Sequence, residues 1–245
     1  MPDYPIRGLH GQVVDELGRG IVAGDLSDHG VLDLAALEQR LQVSRTVVRE
    51  ALKVLGAKGL VDARPKRGTF IRPRSEWNLF DRDILRWTFD SRIDPALIDQ
   101  LAEVRSIIEP AAVRLAAVRR DEDDLATLRA ALADMQAADD PEQITAADVA
   151  FHRALIRSAH NELLQPIQEV VLVGLRARDL AVHRVQGSQP DLLPPEAATA
   201  HQDVLEAVEK QDPNSAENAM RQLLQLAPTA SSSGGQYAWA AIRDR

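Results

Sequence analysis

At 245 residues, with 45% hydrophobic and 27% charged residues and a net charge of −8, the chain can hold two domains that each bury a core. It has no cysteine, which excludes disulfides, thiolate metal sites and thiol redox sensing. The start, Met-Pro-Asp-Tyr-Pro-Ile-Arg-Gly, lacks the layout of a secretion signal, and apolar runs such as Val170 to Val173 are far too short to span a bilayer. A soluble, cytoplasmic protein with no membrane association is expected.

The first predicted helix is Leu9 to Ala23, with Val13, Val14, Leu17, Ile21 and Val22 on its buried side and Gly24 ending it. Asp33 can cap a second, Leu34 to Leu41, whose Leu34, Leu37 and Leu41 face the next helix. That next stretch, Val43 to Leu60, begins at Ser44 as a candidate cap and places Val47, Val48, Ala51, Leu52, Val54 and Leu55 at spacings that make one apolar face. Arg45, Thr46, Arg49 and Lys53 are left on or beside the other face. Guanidinium groups and hydroxyls on the first turns of an amphipathic helix suit the major groove of DNA, although an ordinary solvated face has the same pattern.

The segment after it favours DNA. Val61 to Arg64 and Thr69 to Arg72 are predicted strands around a turn at Pro65-Lys66-Arg67-Gly68, which makes a hairpin wing with a basic tip. From Arg40 to Arg74 there are ten Lys and Arg against Glu50 and Asp62 alone, a local charge of +8 in an acidic chain. Pro73-Arg74-Ser75 is the expected linker. Residues 1–75, with twelve Lys and Arg against nine Asp and Glu, carry +3, and the remainder −11. An acidic domain is repelled by phosphate, so 76–228 is expected to sense and dimerise, and 229–245 to be a flexible tail that closes on Gln236 to Arg245.

Every long segment of the second domain has helical period: Trp77 to Phe89, Pro95 to Arg119, Asp121 to Ala138, Pro141 to Ala159, Glu162 to Arg184, Pro195 to Lys210 and Pro213 to Leu226. Asp94, Asp140, Asn161 and Asp212 stand where caps belong. The expected fold is therefore mainly α: an N-terminal winged helix-turn-helix and a C-terminal all-α bundle of about six to seven helices. Pro110 and Pro166 fall inside helical patterns, where each is expected to remove a ladder hydrogen bond and bend its helix. Asp148 and His152 lie one turn apart on one helix face, the spacing at which a carboxylate and an imidazole can share a divalent ion, and His201 adds a possible third ligand from another helix. The same three residues can equally be a satisfied hydrogen-bonded network.

The run from Gly30 to Leu52, with Gly59-Leu-Val and Arg67-Gly-Thr-Phe-Ile, resembles the winged helix-turn-helix of GntR-type bacterial transcription regulators over most of the first 75 residues. The resemblance implies DNA contacts from Ser44, Arg45, Thr46, Arg49, Lys66, Arg67 and Gly68. His29 replaces a frequent proline, and Ala35 and Ala36 stand where some members carry a further DNA-contacting arginine. Residues from about 77 to 226 are similar to the helical ligand-sensing (FCD) domain of the FadR-type branch, through Glu103 to Ala117, Ala147 to Leu155, Ser158 to Asn161 and His201 to Val208. Within that branch the chain is nearest to the galactonate-responsive repressors of sugar-acid catabolism. The effector-lining stretch from Leu180 to Ala200 does not look alike, which leaves the particular acid open.

For the metal-dependent members the resemblance implies Asp148, His152 and His201 as ligands of zinc, nickel or manganese, with Leu223 at the position of a fourth histidine. It also implies that Arg105 pairs with an effector carboxylate; a surface pair with Glu109 is the plainer reading of that arginine. The expectation is a homodimeric repressor on an inverted-repeat operator of double-stranded DNA, released by a small sugar acid or hydroxy acid. Alternatives are a metal-dependent enzyme using Asp148, His152 and His201, for which no separate nucleophile or base stands out, and a regulator of the same fold with a non-metal effector such as an acyl-CoA.

Overall fold

The computed structural model describes residues 8–26, 31–64, 66–91, 95–186 and 193–226. The expected tail, the Gln236 to Arg245 segment and the Asp94 cap lie outside the described residues. Helix α1 (Leu9–Ala23) ends in Gly24 with φ 84°, as a left-handed cap requires, and buries Val13, Val14, Leu17 and Ile21. Helix α2 (Leu34–Leu41) is capped by Asp33, which accepts from the Ala35 and Ala36 amides. Helix α3 (Arg45–Ala57) buries Val48, Ala51, Leu52 and Leu55, and Val47 and Val54 are half-buried. Ser44 holds the cap position of α3 as expected, but its side chain makes no capping bond.

The wing is β2 (Val61–Arg64) and β3 (Gly68–Ile71), paired antiparallel with Val61 opposite Ile71 and Arg64 opposite Gly68. A short strand that the sequence reading does not contain, β1 (Val31–Leu32), pairs with the outer side of β3. Two residues are too few to show alternation, and the pairing supplies the order β1-β3-β2.

The expected linker is not a linker. Arg74–Glu76 form a single 3-10 turn, and the Trp77 indole donates to the Arg72 carbonyl at 2.8 Å. Helix α4 (Arg82–Ser91) begins at Asp81, which accepts from the Asp83 and Ile84 amides, and so starts five residues later than predicted. Its Ile84 and Trp87 join the core of the first unit, and that unit runs to Arg92 rather than ending at Ser75. A close fit within the first unit is at Gly18 of α1: a Cβ there would lie 2.5 Å from the Trp87 ring, so the notch exists because the residue is glycine.

The second unit contains α5 (Pro95–Arg119), α6 (Glu122–Ala137), α7 (Pro141–Arg157), α8 (Leu164–Gln186), α9 (Pro195–Glu209) and α10 (Pro213–Leu226). Asp121 and Asp124 form a reciprocal capping box on α6, and Asp140 caps α7 through the Glu142 and Gln143 amides. α10 packs on α5 and α9, and α7 packs on α5, α6 and α8. The core gathers Val113, Leu128, Phe151, Val204, Met220 and Leu223. Pro110 is inside α5 as predicted, whereas Pro166 falls in the first turn of α8, where no intrahelical N–H bond exists to be lost.

Candidate functional site

In the first unit, α3 presents Arg45, Thr46 and Arg49 to solvent, and Ser44 is exposed just before it. Arg45 lies 3.7 Å from Glu38, a surface pair that costs little to open. Arg49, Lys66 and Arg67 are exposed and have no carboxylate partner among the described residues. Other cations of the basic count are committed to the fold. Lys58, half-buried, bridges Asp81 and Asp83 at 2.9 and 2.7 Å, while Arg72 pairs with Glu76 and Arg64 with Asp62. Gly68 has a conformational reason to be glycine, φ 101°, at the end of the turn that carries Lys66 and Arg67.

In the second unit three helices bring five polar side chains together. α7 contributes Asp148 and His152, α9 contributes His201, and α5 contributes Arg105 and Glu109. The ligand atoms of Asp148, His152 and His201 all lie within 4.8 Å of one another. His201 Nε2 is 2.9 Å and His152 Nε2 3.7 Å from Asp148 Oδ1. Phe151, fully buried, sets its ring 5.1 Å from that of His201 and helps to keep the cluster dry.

The ring nitrogens that face away from Asp148 define which tautomers fit. His201 Nδ1 lies 2.7 Å from the Ala197 carbonyl, which only an N–H can satisfy. His152 Nδ1 lies 2.6 Å from Glu109 Oε2, close though off the line of an ideal hydrogen bond. With protons on both Nδ1 atoms, both Nε2 lone pairs turn toward Asp148. A lone pair cannot bond a carboxylate oxygen at 2.9 Å without a proton or a cation between them. The donor set, two imidazoles and a carboxylate, is one that zinc, nickel or manganese accepts.

Arg105 and Glu109 overturn the surface-pair reading, because they are 4% and 1% exposed and joined at 2.5 Å. Burial raises the Glu109 carboxyl, but the Arg105 guanidinium and then His152 outweigh it and hold the group well below the usual carboxylate range. Arg105 Nη2 also reaches His152 Nε2 at 3.3 Å. Glu109 is the residue that sequence reasoning left on the surface. The available signal was its place on one α5 face with the buried Ala112, Val113 and Ala116. Leu223 is buried in the core cluster and brings no fourth ligand.

Two other features stand apart from this cluster. Asp121, Asp124 and His160 also approach one another, but their groups serve the α6 cap and a 2.6 Å contact between His160 and Asp124. An open groove of about 580 Å³ runs along the face of α7 that carries Ala146, Val149, Ala150 and Arg153, and none of its lining residues belongs to the cluster.

A basic helix with a wing in one unit and a buried polar cluster in an acidic bundle define a DNA-binding regulator with a sensing domain. Residues 9–71 match the model of bacterial regulatory proteins of the gntR family, and residues 100–226 match the FCD domain. The chain is 33% identical to the galactonate operon transcriptional repressor of Escherichia coli, over 85% of this chain and 90% of that one. It is 27% identical to a probable D-xylose utilization operon repressor of Paenarthrobacter nicotinovorans, over 89% and 93%. The solved structure of Lar, which controls expression of the Listeria monocytogenes agr system, shares the fold at a TM-score of 0.63 and 19% identity, over 96% of this chain and 98% of that one. The chain therefore belongs to the GntR family of transcription regulators, in the group that carries an FCD domain. It is a regulator and not an enzyme, so the reading of Asp148, His152 and His201 as catalytic residues is set aside. Among the described residues no helix is long and apolar enough to cross a membrane.

Proposed function

We propose that the protein is a homodimeric repressor of a sugar-acid or hydroxy-acid catabolic operon, released from its operator when a small carboxylate binds beside a divalent ion held by Asp148, His152 and His201. The observation that carries this reading is the approach of His201 Nε2 to Asp148 Oδ1 at 2.9 Å while His201 Nδ1 is committed to the Ala197 carbonyl. Such an ion supplies positive charge and open positions for oxygen atoms. Charge supports the same reading. Arg105, Glu109 and Asp148 sum to −1 with both histidines neutral, which repels a carboxylate; a divalent ion makes the site +1. The similarity to a galactonate operon repressor supports an effector of the sugar-acid class.

At the DNA, Arg45, Thr46 and Arg49 read base edges, while Ser44, Lys66 and Arg67 hold phosphates and Gly68 shapes the wing tip. A two-fold dimer requires an inverted-repeat operator. The test of the metal reading is calorimetry of zinc binding to the full chain. One site per chain is expected at neutral pH, weakening in acid because histidine ligands must be deprotonated, and lost in His152→Ala. A wild-type protein that takes up no zinc contradicts the proposal.

A further inference from the structure

We infer that Glu109 is the positioning residue that joins the two halves of the sensing site, one carboxylate oxygen holding Arg105 and the other holding His152. The inference rests on the metal reading above and goes beyond it, because it names the group through which ion and effector are sensed together.

The geometry is specific. Glu109 Oε1 accepts from Arg105 Nε at 2.5 Å, and Oε2 lies 2.6 Å from His152 Nδ1. All three side chains are at least 96% buried, so water does not compete for these contacts. The 2.6 Å approach places the imidazole proton on Nδ1, because two lone pairs cannot meet at that distance. Nε2, on the side of Asp148, thereby carries the lone pair. A carboxylate behind a ligating histidine fixes both tautomer and ring direction and raises the basicity of the coordinating nitrogen.

Arg105 acts on the opposite side of the same ring. Its Nη2 lies 3.3 Å from His152 Nε2 and donates to the lone pair that a metal ion would take. Arg105 and an ion therefore compete for one nitrogen, while Glu109 holds both Arg105 and the ring that carries that nitrogen.

The experiment uses the full-length protein, zinc as the probe, and the variants Glu109→Gln and Arg105→Met. Calorimetry reads zinc affinity, and NMR of histidine-selective 15N-labelled, metal-free protein reads the tautomer of His152 and its hydrogen-bonded N–H proton. Glu109→Gln is expected to weaken zinc about 10- to 100-fold, the usual effect of removing such a partner. Arg105→Met is expected to bind zinc at least as tightly as wild type. In wild type and Arg105→Met the His152 proton sits on Nδ1 and resonates downfield of the amides; in Glu109→Gln that resonance is lost. Zinc affinity within threefold of wild type in Glu109→Gln, or persistence of the downfield proton there, overturns the role of Glu109. Its absence from wild type overturns it without any variant having to fold. A wild type that binds no zinc overturns the metal reading itself, and the coupling role falls with it.

Discussion

Asp15 gathers three donors from two helices. Its Oδ1 accepts from Arg86 at 2.6 Å and from the Trp87 indole at 2.7 Å, and its Oδ2 from Arg19 at 2.8 Å. Burial raises the carboxyl, but the Trp87 N–H, then Arg19 and Arg86, bring it from 3.8 down to about 2. A depressed carboxylate contributes stability that is present above its unfolded value and lost as pH falls through the folded one. Asp15→Ala leaves the indole N–H of a fully buried tryptophan unpaired, at a cost of about 1–3 kcal/mol. Urea unfolding at pH 7 should show that loss, and the gap from wild type should narrow as pH falls from 3.8 toward about 2. Equal midpoints at neutral pH would rule out the network as a support of the first unit. On the proposed DNA face the two kinds of contact carry different expectations. Arg49→Ala should cost about 1–3 kcal/mol and relax sequence preference, whereas Arg67→Ala should weaken all duplexes alike and lower the salt slope by about one. Binding titrations on specific and random duplexes at several salt concentrations check both, and identical behaviour of the two variants would contradict the assignment.

Helices are where the sequence was most legible. α1, α2, α5 and α10 have the bounds that apolar period and caps predict, because Gly24, Asp33 and the N-terminal prolines Pro95 and Pro213 act locally. What was not legible depends on partners distant in sequence. β1 exists only because β3 pairs with it, and α4 joins the first unit because Trp87 fills the notch at Gly18. Asp148, His152 and His201 could be named from spacing and resemblance; for Glu109 an i,i+4 pair reads the same on a surface as in a core, and only its shared face with Ala112, Val113 and Ala116 marks it as inward. Gly18 gives a direct test of the α1–α4 fit. Alanine raises intrinsic helix propensity by about 1 kcal/mol, but overpacking against a rigid, fully buried ring costs about 1–3 kcal/mol. Gly18→Ala should therefore lower the unfolding midpoint. A raised midpoint would show that α4 can move away at little cost.

Across the whole chain, charge divides as function does. The segment that meets DNA is basic, the remainder is acidic, and the +8 of residues 40–74 stands against −8 for the molecule. Some of that basic count is structural, since Lys58 and Arg72 are held in ion pairs, so the salt dependence of binding should reflect fewer than ten contacts. Effector control then requires differential affinity: a carboxylate that binds the DNA-free state about 100-fold better contributes about 2.7 kcal/mol toward release. The most direct measurement is fluorescence anisotropy of a duplex from beside the protein's own gene, titrated with the full-length protein with and without zinc, and with and without a panel of sugar acids that includes galactonate. Salt-dependent binding is expected without effector, and release by one acid of the panel only when zinc is present. Release that is equally strong in chelator-treated, zinc-free protein would contradict that expectation.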